Sequence, residues 1–156
     1  MLTLLTGFMC AGKTTLGSAL AARLGYCFVD LDKIIEQQTQ CIIPELFAHK
    51  GEPEFRQIEQ QVLFDTVAQL GAQRQDAIIA CGGGAPCYQD NLAFMKAHGF
   101  VIYLEVPPET LCERLISTPA EARPLLPYRD PATLLHHIRN LLAKRKPYYE
   151  AAHWKC

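Results

Sequence analysis

The chain has 156 residues, the size of one domain, and a formal net charge of -1. That balance offers no basic excess for a nucleic-acid backbone and no polybasic run for an anionic membrane surface. Seven cysteines are scattered without a CxxC pair, which argues against zinc and reads as small buried apolar residues in a reducing, cytoplasmic setting. No apolar run approaches bilayer length, and the N-terminal segment reads as a first strand instead of a signal peptide. A monomer acting on small molecules is the expectation.

Leu2–Thr6 is a short apolar run that predicts a strand ending at Gly7. Residues 14–24 predict a helix with Leu16, Leu20 and Leu24 along one stripe, stopped by Gly25. Residues 27–30 predict a second strand, 31–38 a short helix, and 44–49 another, interrupted at Gly51. A long helix over about 53–70 places Phe55, Ile58, Val62, Thr66 and Leu70 on one face, with Gly71 as its cap. The continuously apolar stretch 77–81 predicts a third strand buried on both faces. Residues 91–98 predict a helix, 100–104 a fourth strand, and 108–116 a helix that starts on proline. A loop rich in proline and charge covers 117–131, and the last predicted helix, 133–146, ends at Pro147. This alternation predicts one α/β domain over 1–156, with a parallel sheet of about four strands and helices on both faces. Ligands of such sheets bind beyond the carboxyl ends of the strands, where the motifs below all fall.

Gly7-Phe8-Met9-Cys10-Ala11-Gly12-Lys13-Thr14 fits the G-x-x-x-x-G-K-[ST] phosphate loop at every fixed position, between an apolar run and a helix. Its glycines let the backbone curl with N–H groups inward, and the helix N-terminus adds positive charge. Residues Cys10, Ala11, Gly12, Lys13, Thr14 and Thr15 are therefore candidates to hold ATP. Lys13 supplies charge to the β- and γ-phosphates, and Thr14 offers a hydroxyl to Mg²⁺. The loop by itself names a nucleoside triphosphate and no particular reaction.

Five further features carry two readings each. Asp30 and Asp32 end the second predicted strand on one face, where they can orient Mg²⁺ and accept a proton, or form a solvated turn with Asp32 as a helix N-cap. Arg56 and Glu59, three apart, form either a surface ion pair or a clamp that holds Arg56 ready for a substrate carboxylate. Gly82-Gly83-Gly84 allows a ligand close to the backbone, or is a flexible turn. Arg123 on its loop can close over the phosphates or be solvated, and Arg145 can reach into the cleft or complement a helix C-terminus.

In order and spacing, these motifs resemble the shikimate kinase family over nearly the whole chain. The resemblance rests on the phosphate loop, Asp30-Leu31-Asp32 with Ile35-Glu36, Gly51-Glu52 with Phe55-Arg56, and the glycine triplet. It continues through Tyr103-Leu104, Arg123-Pro124-Leu125-Leu126 and Arg145-Lys146-Pro147-Tyr148-Tyr149. It implies the P-loop fold of nucleoside monophosphate kinases and ATP-dependent phosphorylation of shikimate, with Mg²⁺. It implies that Lys13, Asp30, Asp32 and Arg123 are catalytic and that Thr14 and Asp30 lie at the metal. Shikimate would be held by Asp32, Arg56, Gly82, Gly83, Gly84 and Arg145. Arg123 would be the lid arginine, and Arg114 resembles the arginine that packs on adenine. Family members continue past the Tyr148-Tyr149 region into a further strand and helix, so a fifth strand and part of the adenine enclosure are expected to be missing here. Two other readings stay open: another small-molecule P-loop kinase, such as a gluconate kinase, and a nucleotide-binding module without turnover.

Overall fold

The computed structural model describes residues 1–118 and 130–156. Its centre is a parallel sheet in the order β2-β3-β1-β4-β5, formed by β1 (Leu2–Thr6), β2 (Cys27–Asp30), β3 (Ala77–Ala80), β4 (Phe100–Tyr103) and β5 (Trp154–Lys155). The continuously apolar β1 and β3 are buried along their whole length, as residues covered on both faces must be. Chain order reverses about β1: the crossover from β1 leads to one side of the sheet and the crossover from β3 leads to the other. A crevice opens at such a switch point, beyond the carboxyl ends of β1 and β3. The phosphate loop follows β1 and the glycine triplet follows β3, so both fall in that crevice.

The fifth strand expected to be missing is present. It is only two residues long, and it pairs with β4 through Ile102 opposite Trp154 and Tyr103 opposite Lys155. Its sequence, a tryptophan and a lysine at the end of the chain, has too little length for any alternation to show.

One sheet face is covered by α1 (Lys13–Leu24), and the other by α2 (Leu31–Thr39), α3 (Ile43–Ala72) and α4 (Asn91–His98). Helices α5 (Pro108–Ser117) and α6 (Pro131–Glu150) pack on each other and on the phosphate loop through Phe8, Leu111, Leu115, Leu134 and Ile138. Three helix expectations need correction. In α1 the leucine stripe is not the buried face: Leu16 is 45% and Leu24 51% exposed, while Gly17 and Ala21 face the sheet. Small residues win there because the helix lies close to Phe28 and Leu5; a Cβ on Gly17 would sit 2.7 Å from the Phe28 ring and 3.0 Å from Leu5. In α3 the two expected helices run on as one across a kink at Gly51 (φ 77°, ψ 169°), and the helix ends at Ala72 instead of being capped by Gly71. In α6 the helix continues through Pro147 to Glu150, because Tyr149 in that last turn is completely buried and anchors it.

All seven cysteines are free, but only Cys81 and Cys112 are buried, so the expectation of buried apolar residues holds for two of them. Among the described residues no helix is long and apolar enough to cross a membrane.

The Gly17 contact is testable. Alanine improves helix propensity by about 1 kcal/mol, but overpacking a filled core costs about 1–3 kcal/mol. Gly17→Ala is expected to lower unfolding stability by about 1 kcal/mol net, measured by denaturant titration. A variant more stable than wild type would show that Phe28 and Leu5 yield freely.

Candidate functional site

A cleft of about 510 Å³ opens at the carboxyl ends of β1, β2 and β3. On one wall the phosphate loop curls from β1 into α1, with Gly12 in the left-handed region at φ 98°. Cys10 takes the same region at φ 60°, a conformation that non-glycine residues adopt only at some cost, and it also lines the cleft. Lys13 Nζ donates to the carbonyls of Gly7 at 2.9 Å and Phe8 at 2.8 Å, so the loop holds its own cation at the centre. Burial pushes the Lys13 ammonium below its usual range, and the Asp32 carboxylate opposes that most strongly. Arg114 on α5 reaches across to donate to the Cys10 carbonyl at 3.0 Å, which fastens it to the loop and brings it to the cleft rim.

Asp30 and Asp32 both line the cleft, but not as two residues of one strand. Asp30 ends β2 and is the N-cap of α2; its Oδ1 accepts from the Asp32 backbone N–H at 3.1 Å. The cap is therefore Asp30, where the sequence reading offered Asp32. The other oxygen of Asp30 accepts from the Thr14 hydroxyl at 2.7 Å, tying β2 to the phosphate loop. Asp32 stands in the first turn of α2 and turns its carboxylate into the cleft, open to water yet walled by protein. Desolvation, then the nearby Glu59 and Asp30 carboxylates, push its pKa from the ordinary 3.8 up to about 6.

The second wall comes from α3 and the loop after β3. Glu59 is buried at 1% exposure, and Arg56 Nη1 donates to it at 2.5 Å. Glu52, exposed at the start of the same turn, takes the other side of the guanidinium at 3.2 Å. Burial pushes the Glu59 carboxyl up, against the pull of Arg56 and Arg145. Burial works against the Arg56 charge, but Glu59 and Glu52 outweigh it and hold the guanidinium above its usual range. The glycine triplet is shaped by these side chains. A Cβ on Gly82 would overlap Glu59 Oε1, and a Cβ on Gly84 would overlap the Arg56 guanidinium. Of the three glycines, Gly83 is the one that lines the cleft. Arg145 on α6 lies over the Phe8 ring at 5.7 Å and beside Gly83. Arg123 and most of the lid expected over 117–131 lie outside the described residues.

The sequence pattern does not flag Asn91, which is fully buried. It donates to the Ala85 carbonyl at 2.9 Å and accepts from Gln60 at 2.8 Å, bracing the turn after the triplet. Nor does it flag Cys81, which closes the floor of the cleft beside Lys13. Among the described residues no group of three or more His, Cys, Asp or Glu side chains is placed to hold a metal ion.

The model of the shikimate kinase family matches residues 9–156. The chain belongs to that family. Shikimate kinase of Bacteroides fragilis is 40% identical over 150 residues, covering 96% of this chain and 80% of that protein. The 1.7 Å crystal structure of shikimate kinase from Bacteroides thetaiotaomicron has a TM-score of 0.90 at 37% identity, covering 99% of this chain and 85% of that one. Shikimate kinase from Acinetobacter baumannii, solved in complex with shikimate, has a TM-score of 0.86 at 38% identity, covering 99% of this chain and 82% of that one. Membership of the shikimate kinase family agrees with the parallel sheet, the phosphate loop and the kinase fold described above.

The raised Asp32 pKa gives a stability prediction. A carboxyl with a raised folded-state pKa favours the fold fully below its unfolded value of 3.8, and that contribution is lost as pH rises through about 6. Near neutral pH the ionised Asp32 thus strains the cleft against Glu59 and Asp30, with water in the open cleft screening part of the repulsion. Asp32→Asn is expected to raise stability near neutral pH by about 1 kcal/mol, with the gain fading towards pH 4. Equal denaturation midpoints for variant and wild type across this range would show that Asp32 is fully solvated.

Proposed function

We propose that this chain transfers the γ-phosphate of ATP to a hydroxyl of shikimate, giving shikimate 3-phosphate and ADP. The observation that carries this reading, beside the family, is the convergence of Arg56 and Arg145 on the glycine loop at the edge of a phosphate-loop cleft. Two guanidiniums beside the glycine loop suit an acceptor with a carboxylate at one end and a hydroxyl at the other. Family membership favours shikimate over gluconate as that acceptor. On this reading the chain is a single-domain, monomeric cytoplasmic enzyme acting on small molecules.

The residues divide the work. Arg56, held in one rotamer by Glu59 and Glu52, and Arg145 grip the acceptor carboxylate, and the N–H groups of the glycine loop meet its remaining oxygens. Asp32 orients the acceptor hydroxyl and takes its proton as the oxygen attacks the γ-phosphorus. The bond to the β,γ-bridging oxygen then breaks and ADP departs. A base with a pKa about 6 is well matched to that step, since it is mostly ionised near neutral pH and still basic enough to accept the proton. Lys13 exchanges its contacts with the Gly7 and Phe8 carbonyls for the β- and γ-phosphate oxygens. Arg114 borders the nucleotide, and Arg123 would come from the lid.

The Thr14 hydroxyl and Asp30 carboxylate, 2.7 Å apart at the loop, are hard oxygen donors that fit Mg²⁺ held mainly by phosphate and water. Bound there, Mg²⁺ neutralises charge on the phosphates.

A coupled ADP-release assay tests the proposal: turnover is expected with shikimate and not with gluconate. Turnover with gluconate alone, or with neither, would overturn it. Arg56→Lys refines it. Lysine keeps the charge but not the planar fork, so KM for shikimate is expected to rise about tenfold to hundredfold while KM for ATP stays unchanged. A change confined to the ATP constant would remove Arg56 from the acceptor site.

A further inference from the structure

Tyr149 is completely buried, though it lies in the last turn of a helix, and that turn contains a proline. Its ring stacks on Tyr103 of β4, with centroids 4.9 Å apart and planes 21° apart. Its hydroxyl donates to the Gly83 carbonyl at 2.5 Å, joining residues 66 positions apart in the chain. The Arg145 guanidinium, one helical turn earlier on α6, is a further polar neighbour, beside Cys87 and Tyr103. One phenol therefore bonds to a glycine of the proposed acceptor loop and lies within electrostatic reach of an arginine of the proposed grip.

The peptide plane makes the Gly83 contact consequential. A trans peptide is planar, so its C=O and the following N–H point in opposite directions. Fixing the Gly83 carbonyl on Tyr149 fixes the Gly84 N–H with its back to α6. A run of three glycines has no side chains to settle its peptide orientations, and glycine has the widest conformational freedom of any residue. The loop must instead be held from outside. Asn91 holds the Ala85 carbonyl from α4, Glu59 and Arg56 fill the spaces over Gly82 and Gly84 from α3, and Tyr149 holds the middle peptide from α6.

We infer that Tyr149 is a positioning residue for the acceptor: it sets the orientation of the Gly83–Gly84 peptide and the approach of Arg145, without itself touching substrate. This rests on the reading of the glycine loop and Arg145 as the acceptor site.

Tyr149→Phe keeps the ring, its stack and its burial, and removes only the hydroxyl. Tyr148→Phe is the control, since Tyr148 is 40% exposed on the same turn. Two measurements separate the inference from the functional reading it rests on. In steady-state kinetics, Tyr149→Phe is expected to raise KM for shikimate about fivefold to tenfold, with KM for ATP and the melting temperature close to wild type. In hydrogen-exchange mass spectrometry without substrate, the segment over residues 82–84 is expected to exchange about tenfold faster, while β1 and β3 do not change. Tyr148→Phe is expected to alter neither. Unchanged exchange over 82–84, or an equal rise in both Michaelis constants, would overturn the role of Tyr149. If exchange responds but wild type does not turn over shikimate, the clamp on the loop stands and the identity of the acceptor falls.

Discussion

A carboxylate buried at 1% exposure needs a charge opposite it, and Glu59 has Arg56 at 2.5 Å. Much of the second wall of the cleft follows from that pair. Three residues apart on α3, the two side chains share a face of the helix and lean towards the loop after β3. The loop can pass beneath them only if it lacks side chains where Glu59 and Arg56 lie, and Gly82 and Gly84 stand at those two places. Removing one partner of a buried pair costs about 3–5 kcal/mol, whereas replacing both by packed apolar residues is often neutral or stabilising. Stability alone therefore does not account for an ion pair here. What the pair provides is a guanidinium fixed in rotamer and held charged at the edge of the cleft.

The two halves of the cleft were unequally legible in the sequence. The phosphate loop is a contiguous backbone device, and its eight residues carry both the curl and the charge, so Gly7 to Thr14 could be read directly. Strands β1, β2 and β3 and helix α4 were legible because continuous apolar runs and helix punctuation are local signals. The acceptor half is assembled from α2, α3, α6 and the glycine loop, and it was legible only as a set of motifs in a family order. Its internal logic was not. The burial of Glu59 and the bracing by Asn91 depend on which elements meet, which no window along the chain records. Tyr149 left one faint signal, its place one helical turn after Arg145, but Pro147 between them pointed to the end of the helix.

The misread elements share a cause. Spacing in α1 pointed to Leu16, Leu20 and Leu24, and a hydrophobic stripe is ordinarily the buried one. Close approach to Phe28 and Leu5 overrides it: a helix lying that near a sheet buries Gly17 and Ala21, and of the stripe only Leu20 packs partly against the core. The two-residue β5 exists through its pairing with Ile102 and Tyr103 and not through any propensity of its own. Pro147 forfeits one helix hydrogen bond, and the burial of Tyr149 keeps the turn in place. In each case tertiary contact outweighs the local preference, and in α6 the contact that does so also reaches the cleft.

Asp30 and Asp32, where β2 passes into α2, are held very differently within one short segment. Both oxygens of Asp30 are engaged, one by the Asp32 N–H and the other by the Thr14 hydroxyl. Asp30 is thereby fixed in place facing the phosphate loop. The Asp32 carboxylate receives no hydrogen bond from the described residues, and the charges acting on it are three carboxylates, Glu59, Asp30 and Glu36, and the Lys13 ammonium. Its charge is therefore the less comfortable of the two, and protonation relieves it. Of the two neighbouring carboxyls, Asp30 is tied down by two hydrogen bonds and Asp32 is left free to turn into the cleft, the division that the proposed roles of metal ligand and proton acceptor require. The backbone enforces the division, because α2 begins between them. Asp30 is the cap that starts the helix, and Asp32 is carried round its first turn into the cleft, beside Glu59 and the glycine loop. The position that leaves Asp32 without a donor is thus the same one that brings it to the glycine loop.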